Sequence, residues 1–332
     1  MDNSYNALKI LSFYQDAQKI IKGEKIIPRL ISIWPSTFCD LKCQYCYCRS
    51  IHKNGSLIDT KKLLDFIDDI ANKGIEAIEF TGGGEPTLHE DLFDIINYIY
   101  KKGLKVGLQT NTYKIDYDKI NCLSYIRISL DTVSEDKYIE MKNAPNGRFN
   151  AVLDSIKKIL SIRDNNETRV GLKFAINLKN YNDIEKMAEL SLSLGVDYCQ
   201  FKPTHNDING LSGNLLIETE NRLQKLRSKY NNSFVAGGLI PHGVNSNCFM
   251  SPIWAVLQPT GNVYMCCYLL DYSLIGNVFD NGFDNIWFND RHRYLLNNIP
   301  NHRCSSYDCR WHYYNSEMKQ IIENNKYELS FI

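Results

Sequence analysis

Residues 30–47 read LISIWPSTFCDLKCQYCY. The apolar run Leu30–Ile33 has the length of a buried strand, and Trp34-Pro35 turns it into a loop. Three cysteines follow at once, Cys39, Cys43 and Cys46, spaced C-x3-C-x2-C. Four thiolates saturate a four-iron cluster and make an electron carrier, whereas three leave one iron open to a small chelating molecule. A zinc site is the competing reading. Zinc wants four ligands, usually as C-x2-C pairs, and Cys48 stands only two residues past Cys46.

Outward from this stretch the chain alternates between strand and helix patterns. Leu63, Phe66, Ile67 and Ile70 have helical spacing, and Ala77–Phe80 reads as a strand broken by Gly82-Gly83-Gly84. Leu92, Ile95, Ile96 and Ile99 form another helical face, closed by Gly103. Strands are expected at Lys105–Leu108, Tyr125–Leu130, Arg169–Ile176 and Asp197–Phe201, with a helical region over 134–165 and a helix carrying Ile184, Met187 and Ala188. Six strands with long crossovers predict a parallel sheet curled into part of a barrel. Functional residues of such folds gather at the carboxyl ends of the strands. The cysteines, the glycine run, Thr110-Asn111, and Ser129 with Asp131 all fall there.

The fold class expected is α/β: a partial (β/α)6 TIM-like barrel with a small C-terminal α+β domain. The expected parts are an N-terminal helical extension (1–27, with Leu8, Leu11 and Ile21 apolar), the barrel (28–235) and the C-terminal domain (236–332). Polar, turn-rich stretches at 204–215 and 231–247 mark the transition, and a helix near 216–230 lies between them. Beyond it, Trp254–Leu257 and Val263–Met265 flank Pro259-Thr260-Gly261-Asn262, a hairpin pattern. A helix near 283–297 follows.

The 332 residues balance 38 basic against 38 acidic side chains. That argues against a general nucleic-acid binder, so no nucleic-acid partner is expected. No apolar run is long enough to span a bilayer and no signal segment is evident, so the chain reads as cytoplasmic with no membrane partner. Eleven cysteines in short spacings favour metal or redox chemistry over a disulfide framework. Cys122 and Cys199 have apolar surroundings and read as core, while Cys48 has no assigned role. The seven histidines form no metal-binding pair. His205, after the sixth strand, reads as a solvated loop residue, with substrate contact as the alternative. Among charged residues near strand ends, Glu85, Asp197 and Lys202, none stands out as a proton acceptor. The tail tyrosines Tyr307, Tyr313 and Tyr314 read as packing residues.

Taken together, these motifs resemble the radical S-adenosylmethionine (radical SAM) enzyme superfamily. The cysteine loop, with Tyr45 before its third cysteine, matches that family's signature. TGGGEP at 81–86 resembles the loop whose backbone binds the methionine amino group, which implicates Gly83, Gly84 and Glu85. Asn111 resembles the end of the family's third strand. Ser129 and Asp131 in RISLD resemble the end of its fourth, and Lys173 would pair with the methionine carboxylate. The resemblance covers roughly 28–205. It implies a [4Fe-4S] cluster with an open iron site, S-adenosylmethionine as cofactor, and a 5′-deoxyadenosyl radical that abstracts hydrogen from an external substrate.

Farther along, Cys248, Gly261-x4-Cys266, IGNV at 275–278, Trp287 and Cys304-x4-Cys309 resemble the C-terminal extension called SPASM, or its shorter form, twitch. The resemblance implies one auxiliary [4Fe-4S] cluster on Cys248, Cys266, Cys304 and Cys309. Cys267 competes with Cys266, and a structural zinc site is the alternative. The expected activity is a radical SAM oxidoreductase, dehydrogenating or forming a bond by radical chemistry, with the auxiliary cluster accepting an electron. The family implies a flavodoxin- or ferredoxin-type donor. Only 38 residues precede Cys39, short for a leader-binding domain, which tilts the expectation towards a small polar metabolite. A ribosomally made peptide recognised by a separate partner is the alternative. A non-catalytic iron–sulfur regulatory module is a third reading, disfavoured by TGGGEP and RISLD.

Overall fold

Ten strands join in one sheet, and their order shows why the strand ends converge. The computed structural model describes residues 12–205, 207–230, 234–239, 248–299, 304, 309, 311 and 314–319. In chain order the strands are β1 (Leu30–Ile33), β2 (Ala77–Phe80), β3 (Lys105–Thr110), β4 (Tyr125–Ser129), β5 (Arg169–Ile176), β6 (Tyr198–Pro203), β7 (Val235–Gly237), β8 (Trp254–Leu257), β9 (Asn262–Tyr264) and β10 (Leu274–Asn277). The spatial order is β10-β9-β8-β1-β2-β3-β4-β5-β6-β7. Every pair from β1 to β7 is parallel, as expected for strands linked by helical crossovers. The sheet is mostly parallel and open, the arrangement of a partial barrel.

Parallel strands covered on both faces read as continuous apolar runs. In β5 six of eight residues are buried, and in β2 three of four. The helices that cover them are amphipathic. α2 (Thr60–Ile70) buries Leu63, Phe66, Ile67 and Ile70, and the Asp59 carboxylate caps it by accepting from the Lys62 N–H at 2.8 Å. α3 (Leu92–Lys101) buries Ile95, Ile96 and Ile99, and α6 (Ile184–Leu194) buries Ile184, Met187 and Ala188.

Several expectations need correction. The helical region over 134–165 is two helices, α4 (Glu135–Lys142) and α5 (Arg148–Ile162). Asn143 ends the first in the left-handed region at φ 50°. Pro145 removes an N–H donor and biases Ala144 away from helix. α7 (Gly213–Tyr230) starts inside the stretch read as loop, and β7 forms within residues expected to be polar loop. The helix near 283–297 is likewise two, α9 (Phe283–Trp287) and α10 (Asp290–Asn298), preceded by the short α8 (Val278–Asn281).

The expected hairpin is present as β8–β9. β8 also pairs in parallel with β1, Leu30 opposite Trp254 through Ile33 opposite Leu257. The sheet therefore runs unbroken from the strand before the first cysteines into the strands around the later ones. α1 (Tyr14–Ile21) is the described part of the N-terminal helix; Leu8 and Leu11 lie outside the described residues. Phe13 and Ile20 pack against a cluster of Ile26, Phe249, Met250, Ile253, Tyr314 and Met318. Tyr314 thus packs as expected, and Tyr307 and Tyr313 lie outside the described residues.

Trp287 anchors the C-terminal helices. It is fully buried, donates from Nε1 to the Ile26 carbonyl at 2.8 Å, and stacks on Phe283. His292 packs against it with ring centroids 4.3 Å apart, and burial holds the imidazole pKa down to about 4. A histidine depressed in the fold leaves stability intact above its unfolded value near 6.5 and removes it as pH falls towards 4. Denaturant titrations at pH 7 and pH 5 should show an extra loss of about 2 kcal/mol in wild type relative to His292→Leu.

Candidate functional site

The loop carrying Cys39, Cys43 and Cys46 is placed by the end of a helix. The last carbonyls of an α-helix have no partner within it. Here the cysteine loop supplies their donors. Gln44 N–H donates to Met141 O at 2.9 Å, Lys42 N–H to Lys142 O at 3.1 Å, and Gln44 Nε2 to Glu140 O at 2.8 Å. On the other side, the loop presses on the glycine run. A Cβ on Gly84 would lie 2.0 Å from the Phe38 carbonyl oxygen, and Glu85 N–H donates to that oxygen at 2.7 Å. Only glycine allows this approach, so the glycine run also seats the cysteine loop.

The carboxylates expected at the site turn out to be occupied by the protein. Glu85 is buried and accepts from Asn111 N–H at 2.7 Å, from Thr87 N–H at 3.1 Å, and from the hydroxyls of Thr87 and Thr110. Burial raises its pKa, and these four donors oppose the rise. Asp131 accepts from Tyr45 Oη at 2.8 Å and Ala175 N–H at 2.7 Å, and pairs with Lys142 Nζ at 2.7 Å. Burial opposes ionisation of Asp131, but Lys142 and Lys173 hold its pKa below the usual value. Its φ of 61° is unusual for a side-chain-bearing residue, as is the 66° of Thr112 after β3. Asn111 reaches the cysteine loop as well, its Nδ2 donating to Asp40 at 2.7 Å while Arg148 donates to its Oδ1 at 3.0 Å.

A cavity of about 220 Å³ opens over these strand ends. Its lining includes all three cysteines of the triplet and every residue proposed for S-adenosylmethionine: Tyr45, Gly83, Gly84, Glu85, Asn111, Ser129, Asp131 and Lys173. Lys142, Cys48, Tyr47, Lys202, His205 and Tyr268 line it too. Sequence reasoning had no role for Lys142, because a lysine in a last helical turn ordinarily serves the helix dipole. His205 is half-buried: its ring stacks on Tyr268 with centroids 3.9 Å apart, and Tyr47 meets both rings edge-on. Asp197 lies at the opposite end of the sheet, accepting from Arg163 and from Val170 N–H. Of the two presumed core cysteines, Cys199 is fully buried, whereas Cys122 is half-buried with its sulfur 3.6 Å from Asn97 Oδ1.

The later cysteines also gather. Burial raises the Cys266 pKa, and Cys267, Cys248 and Cys309 add to the rise. Burial pushes Cys309 up to about 12, reinforced by Cys248, Cys304 and Cys267. Cys267 is buried beside Trp34, Cys48 and Trp254, whereas Cys266 is half-buried. Gly261 makes the turn before them: its φ is 88°, and a Cβ would strike Phe279 and Asn277. Asn277, from IGNV, braces that turn by donating to Thr260 O at 2.8 Å, and its Oδ1 caps α8.

The donor chemistry fits a cluster at each set. In the first set, burial pushes Cys43 up to about 11 and Cys39 up to about 12, so metal loading must release protons. Among the described residues no three Cys, His, Asp or Glu side chains converge on one metal-ion position.

Comparison with known proteins agrees. Residues 33–191 match the model of the radical SAM superfamily, and residues 248–310 match the SPASM iron–sulfur cluster-binding domain. The chain carries a radical SAM domain and a SPASM domain, which together imply a [4Fe-4S] cluster, S-adenosylmethionine and auxiliary iron–sulfur chemistry. It is 34% identical over 170 residues to Fe-coproporphyrin III synthase of Methanosarcina barkeri, a match covering 48% of this chain and 40% of that protein. It is 22% identical over 278 residues to mycofactocin maturase MftC of Mycolicibacterium smegmatis, covering 76% of this chain and 69% of that one. The chain thus spans less than half of the first relative and about two thirds of the second. Similar folds are Streptococcus suis SuiB bound to precursor peptide SuiA (TM-score 0.64, 15% identity, 86% of this chain and 69% of that one) and anSMEcpe with bound AdoMet (TM-score 0.62, 16% identity, 90% and 94%). Among the described residues no helix is long and apolar enough to cross a membrane.

The Lys142–Asp131 pair gives a direct test. Removing one partner of a buried ion pair costs about 3–5 kcal/mol, because the other charge stays buried and unpaired. Lys142→Met should destabilise by that amount in denaturant titrations, and adding Asp131→Asn in the same chain should recover part of it.

Proposed function

We propose that this protein is a radical SAM oxidoreductase that removes hydrogen from an external substrate and passes an electron to one auxiliary cluster. One observation carries the reading. Tyr268, immediately after Cys266-Cys267, lines the same cavity as Cys39, Cys43 and Cys46. A substrate in that cavity would meet the residue that follows the later thiol pair. When bound, the first cluster supplies an electron to S-adenosylmethionine and so the 5′-deoxyadenosyl radical.

In this reading Cys39, Cys43 and Cys46 hold the first cluster, and Cys248, Cys266, Cys304 and Cys309 the auxiliary one. Backbone at Gly83 and Gly84 meets the methionine amino group, Lys173 its carboxylate and Ser129 a remaining polar group, while Asn111, whose Nδ2 and Oδ1 serve Asp40 and Arg148, braces the cysteine loop. Tyr45, Glu85 and Asp131 act chiefly by fixing the cysteine loop and strand ends, since their polar atoms already serve protein partners. The net change is a two-electron oxidation or bond formation on a small polar metabolite. A second reading, modification of a ribosomally made peptide, draws support from the likeness in fold to SuiB bound to precursor peptide SuiA. A ferredoxin- or flavodoxin-type protein would supply electrons.

Anaerobic reconstitution should give about eight irons per chain and no zinc. With dithionite and S-adenosylmethionine, chromatography should detect 5′-deoxyadenosine, and Cys43→Ala should abolish it. Cys266→Ala should lower iron to about four per chain while 5′-deoxyadenosine still forms. Four irons with bound zinc in wild type would replace the auxiliary cluster by a structural metal, and absence of 5′-deoxyadenosine would remove the enzyme reading.

A further inference from the structure

The glycine run has a support beyond the cysteine loop, and it comes from His52. Gly82, Gly83 and Gly84 line the cavity. Glycine has more conformational freedom to lose than any other residue, so three in succession leave their peptide planes loosely set. Packing restrains the run on two sides. A Cβ on Gly83 would lie 2.8 Å from the Trp34 ring and 3.2 Å from the Thr37 methyl, and one on Gly84 would strike the Phe38 carbonyl. Packing limits where the backbone lies. Which way a carbonyl turns is set more sharply by a hydrogen bond, because that interaction is directional.

His52 supplies one. It lies half-buried in a short 3₁₀ turn, Ile51–Asn54, and its Nε2 meets the Gly83 carbonyl oxygen. A carbonyl only accepts, so Nε2 carries the hydrogen. The oxygen has two lone pairs, and this bond leaves the second for another donor. His52 lines the same cavity as Gly83.

The imidazole is held in turn by the cysteine loop. Cys46 N–H donates to Cys43 O at 3.2 Å, Arg49 N–H to Cys46 O at 3.3 Å, and Ile51 N–H to Cys48 O at 2.9 Å. These successive turns lead from the second cysteine to the residue before His52. A ligand that needs one orientation of the Gly83 peptide gains affinity when that orientation is set beforehand, since ordering a loose loop on binding opposes association.

We infer that His52 is a positioning residue for S-adenosylmethionine: its Nε2–H turns the Gly83 carbonyl so that the remaining lone pair accepts from the methionine amino group. This rests on the function proposed above and adds the residue that orients the acceptor.

The test uses holoenzyme reconstituted anaerobically with both clusters. Calorimetry without reductant measures S-adenosylmethionine binding to wild type, His52→Gln, His52→Asn and His52→Phe, and iron is counted in each. The amide nitrogen of glutamine reaches the place of Nε2, whereas that of asparagine stops at the place of Nδ1. His52→Gln should therefore bind within about twofold of wild type, and His52→Asn and His52→Phe about fivefold more weakly, as expected for one lost hydrogen bond. Iron should be unchanged. In turnover with dithionite, KM for S-adenosylmethionine should rise by a similar factor in those two variants while kcat for 5′-deoxyadenosine stays near that of wild type. The inference is overturned if His52→Asn and His52→Phe bind as tightly as wild type, or if His52→Gln binds as weakly as they do. It is also overturned if affinity falls only in step with lost iron, since His52 would then merely hold the cysteine loop. Wild type that neither binds S-adenosylmethionine nor releases 5′-deoxyadenosine would remove the radical reading and this inference with it. Wild-type binding that is indifferent to His52 removes the inference alone.

Discussion

A buried ion pair ties the parts of this site together. Lys142, at the end of α4, meets Asp131 at the end of β4, and Tyr45 from the cysteine loop donates to the same carboxylate. Lys142 also donates to the Ser129 carbonyl at 2.7 Å. The cysteine loop and the β4–α4 connection, far apart in the chain, thus share one charge centre. An isolated carboxylate or ammonium would be costly at such depth, but paired and hydrogen-bonded it is tolerated and directional. The geometry of the cysteine loop follows from it, because the α4 carbonyls beside Lys142 accept the loop's N–H groups.

The same logic separates ligand-holding groups from groups that hold the holders. Glu85 and Asp131 look like binding residues from their positions at strand ends. Their oxygens are spent on Thr87, Thr110, Asn111, Tyr45, Lys142 and Ala175. Glycine backbone, thiols, lysines and aromatic rings line the cavity beside them. That division suits a cofactor with both charged and polar ends, because rigid surroundings lower the cost of ordering a ligand.

Much of the fold was legible. β1, β2, β5 and β8 fall where the apolar runs place them, because parallel strands buried on both faces leave a continuous apolar signal. The break at Asn143 was written in Pro145 and Asn146-Gly147, which the reading of 134–165 as one helical region passed over. The pairing of β8 with β1 was not legible, because it joins residues more than two hundred positions apart. The aromatic rim escaped notice for a similar reason: Tyr47, His205 and Tyr268 share no local pattern.

The sequence by itself determined the chemistry of the site, since ligand type and spacing are local: three cysteines within eight residues, a glycine run one strand later, and a second cysteine set downstream. Only the tertiary structure decided which charges are paired within the protein. Pairing is a matter of distance between segments remote in sequence, and it took Asp131 and Glu85 into the scaffold. It also brought Lys202 and the ring of Tyr268 to the cavity that the first three cysteines line.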